Sequence, residues 1–346
     1  MTPPKNNLFL VVPFLLVLFA CHEMPGKKKL AVAFYNCENF FDTIPNPAKY
    51  DTEFTPQGKY HYTRQIYEQK LHNIATVLQS MDDGRGPAIA GLAEVENNTV
   101  LNELISQPEI KKHNYKYVWI EGPDPRGINV VLIYEPGIFR VIYSEPIHID
   151  LNGQKGKTIT RDILHVCGIL LSDTLSVFVN HWPSRMGGES ESNPKRVIAA
   201  RIEKETIEGL LRDKPNDKII LMGDFNDNPD DSSIAHILDA GDNTNEVRTS
   251  DLYNPFKVFY SFGNGTEFYD HKWNLFDQII LSGNFLNETC KGLHFENAEI
   301  YKPDFLIDHS KGHEGEPHRS FIGAHWINGF SDHFPVIVYL SLSNPH

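Results

Sequence analysis

The sequence predicts an α/β fold in which two mixed β-sheets pack face to face with helices outside. Ten short runs rich in β-branched and aromatic residues, bounded by turn formers, read as strands. Only two long stretches carry helical periodicity. Strands in that excess do not suit a simple alternating βαβ protein. No linker-like change of composition divides residues 30–346, so the prediction is one domain there. A chain of 346 residues with 40% apolar content is long enough for a large core.

Taken in order, residues 1–20 read as a secretion signal. One lysine precedes an apolar run from Leu8 to Ala20, too short for a comfortable membrane span. The run ends in "LFAC", which resembles the lipobox of bacterial lipoproteins. Cys21 is therefore the expected lipidation site, with residues 21–29 as a polar tether. A plain signal peptide or short anchor is the alternative. The expected location is the bacterial cell envelope, on a lipid anchor. Cys37 and Cys167 fall within apolar runs and read as buried thiols. There is no CxxC, and so no zinc knuckle.

The strand runs are 30–41, 88–96, 115–122, 128–136, 139–149, 163–171, 175–182, 219–225, 276–282 and 334–342. The first helix places Ile66, Lys70, Ile74, Leu78 and Met81 on one face. The second starts near Pro194 and carries Ile198, Ile202, Ile207, Leu210 and Leu211.

Polar residues gather at the ends of these strands. The apolar stretch 30–35 delivers Asn36 and Glu38, 88–93 delivers Glu94, and 175–179 delivers Asn180 and His181. Asp224 and Asn226 follow "IILMG"; Asp277 opens "DQIILS"; Ser331, Asp332 and His333 precede the last strand. A lone Asp or Asn at a strand end ordinarily forms a turn or caps a helix. Sheets, however, bring their strand ends to common edges, so residues repeated at so many ends can converge on one cleft.

Glu, Asp and Asn oxygens suit a hard cation, Mg²⁺ or else Mn²⁺ or Ca²⁺. Histidines and further carboxylates add proton transfer. The absence of GxSxG removes a serine-nucleophile elbow, and the absence of GxxxxGK[ST] removes a P-loop. Water attacking phosphorus with metal and histidine assistance remains. The charge balance bounds the substrate. Asp plus Glu outnumber Lys plus Arg 45 to 32, a net charge of −13, which argues against tight nonspecific binding of a polyanion and leaves a local positive feature, such as bound metal or a few arginines, to hold one.

"NCENFFD", "GLAEVEN", "NHWPSR", "MGDFND", "FDQIILS" and "SDHFPV" occur in the order found in the endonuclease/exonuclease/phosphatase superfamily, which the chain resembles over residues 30–342. "DPRGINVVLIY" and "RSFIGAHWINGFSDHFPV" resemble its secreted bacterial branch. The resemblance implies a four-layered α/β sandwich and a divalent-metal-dependent phosphoester hydrolase. A nuclease or other phosphodiesterase is the leading expectation; a phosphomonoesterase or sphingomyelinase-like phospholipase C is the alternative. It implies Glu94 as principal metal ligand, with Asn36 and Asp332 at the same metal. His333, oriented by Asp277, would activate water or stabilise the phosphorane. Asp224 would be a base for the water, Asn226 a donor to phosphate, and His181 an aid to the leaving oxygen. Arg161 would contact phosphate. Asp227 to Asp231 read as a turn and helix cap without chemistry. Arg185, in the loop 184–188, reads either as a phosphate grip or as part of a flexible surface loop. The expected partners are a phosphodiester substrate such as nucleic acid and a membrane reached through the lipid; a monomer is expected.

If Cys21 carries lipid, cells fed a fatty-acid analogue label the wild type and not Cys21→Ser. Equal labelling of both, or labelling of neither, overturns the lipoprotein reading.

Overall fold

The computed structural model describes residues 29–156, 158–244, 247–287 and 291–342. The signal segment, Cys21 and Cys290 lie outside the described residues. Cys37 and Cys167 are buried free thiols.

Strand β1 (Lys29–Phe40) leads to helix α1 (Arg64–Gly84), β2 (Ile89–Val95), α2 (Asn98–Ile105), β3 (Lys116–Trp119), β4 (Asn129–Tyr134), β5 (Phe139–Ile147), β6 (Ile163–Leu170) and β7 (Asp173–His181). Helix α3 (Glu189–Asp213) connects to β8 (Lys218–Asp224). Short strands β9 (Ala240–Gly241) and β10 (Leu252–Tyr253), helix α4 (Phe256–Ser261) and the hairpin β11 (Glu267–Tyr269)–β12 (Lys272–Asn274) follow. The chain ends with β13 (Asp277–Ser282), β14 (Leu293–Ile300), β15 (Phe321–Ile322), β16 (His325–Trp326) and β17 (Val336–Leu342).

Two mixed sheets result. One has the order β14-β17-β1-β2-β4-β3 and the other β5-β6-β7-β8-β13-β10-β9. Strand alternation builds two cores. In β8, Ile220 and Met222 face the other sheet, while Ile219 and Leu221 face a second cluster with Ala199, Ala200 and Ile207 of α3. On the far side, Leu71, Ile74 and Leu78 of α1 join the first core. The layers are therefore helix, sheet, sheet, helix. The sheets approach so closely at Gly91 that an added Cβ would stand 2.6 Å from Met222 Sδ. Gly223 has the same duty between strands, because a Cβ there would meet Asn180 Cβ at 2.4 Å.

The expected strands all form, with ends shifted by a few residues at most. Helix α3 starts at Glu189, ahead of the expected start near Pro194. Proline so early in a helix removes one hydrogen bond without ending the run of helical φ. Strand β14 was not expected. Its sequence LHFENAEI is polar because it is a sheet edge, buried at its two ends and largely open between.

Behind β7 and β8, Glu203 of α3 is fully buried and accepts from Asn180 Nδ2 at 2.8 Å. Its other oxygen has no partner. Burial pushes this carboxyl up to about 8. The folded state thus holds a proton that the unfolded chain releases near the ordinary value of 4.5. The stability it contributes is full below that value and is lost as pH rises toward about 8, at up to about 1.4 kcal/mol per pH unit. Glu203→Gln should flatten the fall in melting temperature between pH 5 and 8. A variant whose melting curve tracks the wild type across that window refutes the buried proton.

Candidate active site

The polar strand ends meet along the seam between the two sheets. Asp224 ends β8 and Asp277 begins β13, and antiparallel pairing sets them opposite one another. His333 lies just before β17 of the other sheet, and its Nδ1 is 2.7 Å from Asp277 Oδ2. Asn36 of β1 donates from Nδ2 to Asp224 Oδ2 at 3.0 Å. His181 ends β7, which runs parallel to β8, and its Nε2 stands 3.7 Å from Asp224 Oδ2 and 3.9 Å from Glu94 Oε1. Asn226 N–H donates to Asp224 Oδ1 at 3.0 Å, and Asn226 Nδ2 to Trp182 O at 3.1 Å.

Glu38, Asn39, Glu94 and Asn226 all adopt left-handed backbone, with φ of 50°, 53°, 62° and 51°. Such conformations persist in non-glycine residues only where surrounding bonds impose them, and they gather at functional sites. The bonds are present. Asn39 N–H donates to Glu94 Oε2 at 2.7 Å, and Glu38 N–H to Asn36 Oδ1 at 3.0 Å. Asn36 thereby has both ends of its amide engaged. This gives it the task of orienting Asp224.

Burial and neighbours separate the titrating groups. Burial pushes Asp224 up to about 7 against the pull of His333. At His333 burial works downward, but Asp277 and then Asp224 outweigh it and hold the imidazole well above its ordinary value. Burial holds His181 well below, helped by the Arg161 and Arg126 charges. One histidine is cationic and the other neutral, which is how a site assigns different proton roles to like groups.

Arg161 has a structural duty that the sequence did not show. It is buried, and its Nε donates to His181 O at 3.0 Å, its Nη2 to Trp182 O at 2.6 Å and its Nη1 to Asp124 Oδ2 at 3.4 Å. Its guanidinium fixes the backbone that carries His181, and it also lines the groove that holds the other site residues. Asp227 departs from expectation. Far from being a plain turn residue, it is buried and pairs with Arg196 Nε at 2.6 Å. Removing one partner of such a pair typically costs about 3–5 kcal/mol. Arg185 joins this network, donating to Asn226 O at 2.9 Å and pairing with Asp227 and Asp231, so it braces the loop after β8. Neither pairing was legible locally, because the partners lie on α3 and in the loop before it.

These groups line a groove of about 630 Å³ that Glu94, His181, Asp224, Asn226, Glu267, Asp332 and His333 share. Glu267 was not foreseen. It sits on the hairpin β11–β12 and forms a β-bridge with His333. Asp224, Asp277 and His333 present ligand atoms within 4.8 Å of one another, near enough for a metal ion. The Asp277–His333 hydrogen bond already occupies that cluster, however, and Asp277 is fully buried. Glu94 and Asp332 suit a hard cation better. Both are oxygen donors that face the groove, and neither has a lysine or arginine within ion-pair distance among the described residues. When bound there, a divalent cation supplies charge neutralisation to phosphoryl oxygens.

His333 and Asp277 should behave as one unit. His333→Ala should cost at least ~10²-fold in kcat/KM on a diester, the lower end for positioned proton transfer. Asp277→Asn should cost less, and the double variant little more than His333→Ala alone. Additive losses, measured with matched thermal melts, separate the two residues.

Comparison with known proteins agrees with this geometry. A model of the Endonuclease/Exonuclease/phosphatase family matches residues 31–342. No curated protein matches the sequence. Among solved structures, an endonuclease/exonuclease/phosphatase family protein from Bacteroides thetaiotaomicron is 18% identical with a TM-score of 0.57, covering 93% of this chain and 98% of that one. A mannosyl-6-phosphatase from the same organism is 18% identical with a TM-score of 0.56, covering 90% and 100%. A humanized D. rerio TDP2 is 13% identical with a TM-score of 0.55, covering 90% and 99%. At such identities the likeness shows the fold; the family match over nearly the whole described chain shows that this protein belongs to the endonuclease/exonuclease/phosphatase family.

Proposed function

We propose that the protein is a divalent-metal-dependent phosphodiesterase that cleaves nucleic acid by water attack at phosphorus, held by Cys21 on the bacterial envelope and acting as a monomer. The observation that carries the chemistry is the separated histidine pair flanking one buried carboxylate. Asp224, pushed up to about 7, is a base matched to neutral pH. It takes the proton of the attacking water. Cationic His333, fixed by Asp277, donates from Nε2 to the phosphoryl oxygen that gains charge. Neutral His181 keeps its proton on Nε2, the nitrogen facing Asp224 and Glu94, and hydrogen-bonds the leaving oxygen. Glu94 and Asp332 hold the cation, Mg²⁺ in this reading, with Mn²⁺ or Ca²⁺ as substitutes.

The groove runs on beyond the reaction centre past Arg126, Lys155 and Lys195, which favours a substrate with groups on both sides of the phosphate. A phosphomonoesterase is the second reading, favoured by the mannosyl-6-phosphatase among the similar folds.

The experiment is a screen of residues 27–346 with each cation against DNA, RNA, bis-p-nitrophenyl phosphate and p-nitrophenyl phosphate. Chelation should abolish activity, and Glu94→Ala should raise the metal concentration needed for half activity. On the diester, kcat/KM should climb as Asp224 loses its proton near pH 7 and decline at higher pH as His333 loses its own. Activity confined to the monoester selects the second reading; activity on no phosphoester, or full activity in chelator, sinks both.

A further inference from the structure

Arg161 lines the groove but gives three of its N–H groups to His181 O, Trp182 O and Asp124, so a cation with free donors is better placed to take a substrate phosphate. Glu94, Asp332 and Glu267 share the groove and repel a phosphate. The turn at 122–127 supplies a candidate. Asp124 Oδ1 accepts from Arg126 N–H at 2.8 Å, and Asp124 O from Gly127 N–H at 3.0 Å. Lys49 Nζ donates to the carbonyls of Gly122 and Asp124, and Tyr50 N–H donates to Pro125 O at 2.7 Å. Gly127 closes the turn at φ +83°. The backbone that carries Arg126 is therefore fixed from both sides.

Its side chain is not. Arg126 is 41% exposed, and its Nε stands 3.8 Å from Asp124 Oδ1, beyond hydrogen-bond distance. Among the described residues its guanidinium donates no hydrogen bond. It lines the same groove as His181 and Asp224. Asp124 meanwhile holds Arg161 on its other oxygen. One carboxylate thus stands between an arginine that braces His181 and an arginine left with its donors unused. A planar guanidinium on a rigid mount is suited to bidentate binding of phosphate.

We infer that Arg126 is the residue that grips a phosphate of the substrate in the groove. The inference rests on the phosphoester reading. It makes Arg126 a binding residue that contacts substrate, and Arg161 a positioning residue that acts through the backbone of His181.

The test compares wild type, Arg126→Ala, Arg126→Lys and Arg161→Ala with Mg²⁺ present. The readouts are kcat/KM on bis-p-nitrophenyl phosphate, the dissociation constant of inorganic phosphate by calorimetry, and the melting temperature. Arg126→Ala should lose roughly 10- to 100-fold in both kcat/KM and phosphate affinity, as expected for hydrogen bonds to a charged group, with an unchanged melt. Arg126→Lys should fall between, since it keeps the charge without the fork. Arg161→Ala should lower the melting temperature and kcat while leaving the phosphate dissociation constant of the folded protein close to wild type; a loss of phosphate affinity as large as that of Arg126→Ala would make Arg161 a phosphate contact instead. Arg126→Ala binding phosphate as well as wild type overturns the inference, whether or not the wild type turns over the diester. A wild type that binds phosphate through Arg126 yet hydrolyses no phosphoester leaves this inference standing and sinks the phosphoester hydrolase reading instead.

Discussion

Two hydrogen bonds cross the seam between the sheets, and the site depends on them. Asn36 reaches from one sheet to Asp224 on the other at 3.0 Å, and His333 reaches Asp277 at 2.7 Å. Neither bond can form unless the sheets stand at one fixed separation. That separation is set elsewhere, by Phe34, Val179 and Met222 meeting over Gly91. Protein interiors at close-packed density have two-sided tolerance: a cavity and an excess methyl are both felt. A change deep in the core would therefore reach the chemistry through the two seam bonds before it unfolded the chain.

The same seam explains the electrostatics. Carboxylates and imidazoles enclosed between two apolar layers lose water on most sides, so neighbours decide their protonation. His333 gains a carboxylate partner that outweighs its burial and is pushed up; His181 is pushed down by burial first and by Arg161 and Arg126 after it. Supports for this arrangement continue outward. Lys70 is fully buried and donates to Ser320 Oγ at 2.6 Å, while Ser320 N–H donates to Glu38 Oε2 at 2.7 Å. Glu38 in turn donates from its backbone to Asn36. The chain of contacts from α1 to Asp224 shows why a lysine occupies an otherwise apolar helix face.

That lysine also marks what the sequence made legible. Periodicity placed Lys70 on the buried face of α1, and strand ends brought Glu94, His181, Asp224 and His333 into one groove, with Asp277 buried behind His333. Both patterns are local, with periods of 3.6 and 2 that any reader of the chain can follow. Pairings between distant segments have no such signature. Asp227 looked like a turn former because turns use Asp; its partner Arg196 lies on a helix 31 positions earlier, as 227 less 196. Nothing in "ITRDIL" shows that two backbone carbonyls and Asp124 also hold Arg161. Strand β14 was hidden by its place at an edge, where solvent replaces the apolar neighbour that makes a strand recognisable.

The acidic surplus of the chain finally acquires a physical reading. A net charge of −13 works against a polyanionic substrate at a distance, and the groove floor adds its own carboxylates. On the proposed reading, attraction comes from close range, from a cation at Glu94 and Asp332 and from the basic side chains Arg126, Lys155 and Lys195 of the groove. Close-range attraction has a benefit in catalysis. Charges that act only when the phosphate is in place contribute little to retaining nucleic acid elsewhere on the surface, and uniform ground-state binding does not raise kcat. In a phosphoester hydrolase, positive charge close to the reaction centre would favour the trigonal bipyramidal phosphorus, where negative charge accumulates, over the bound ground state.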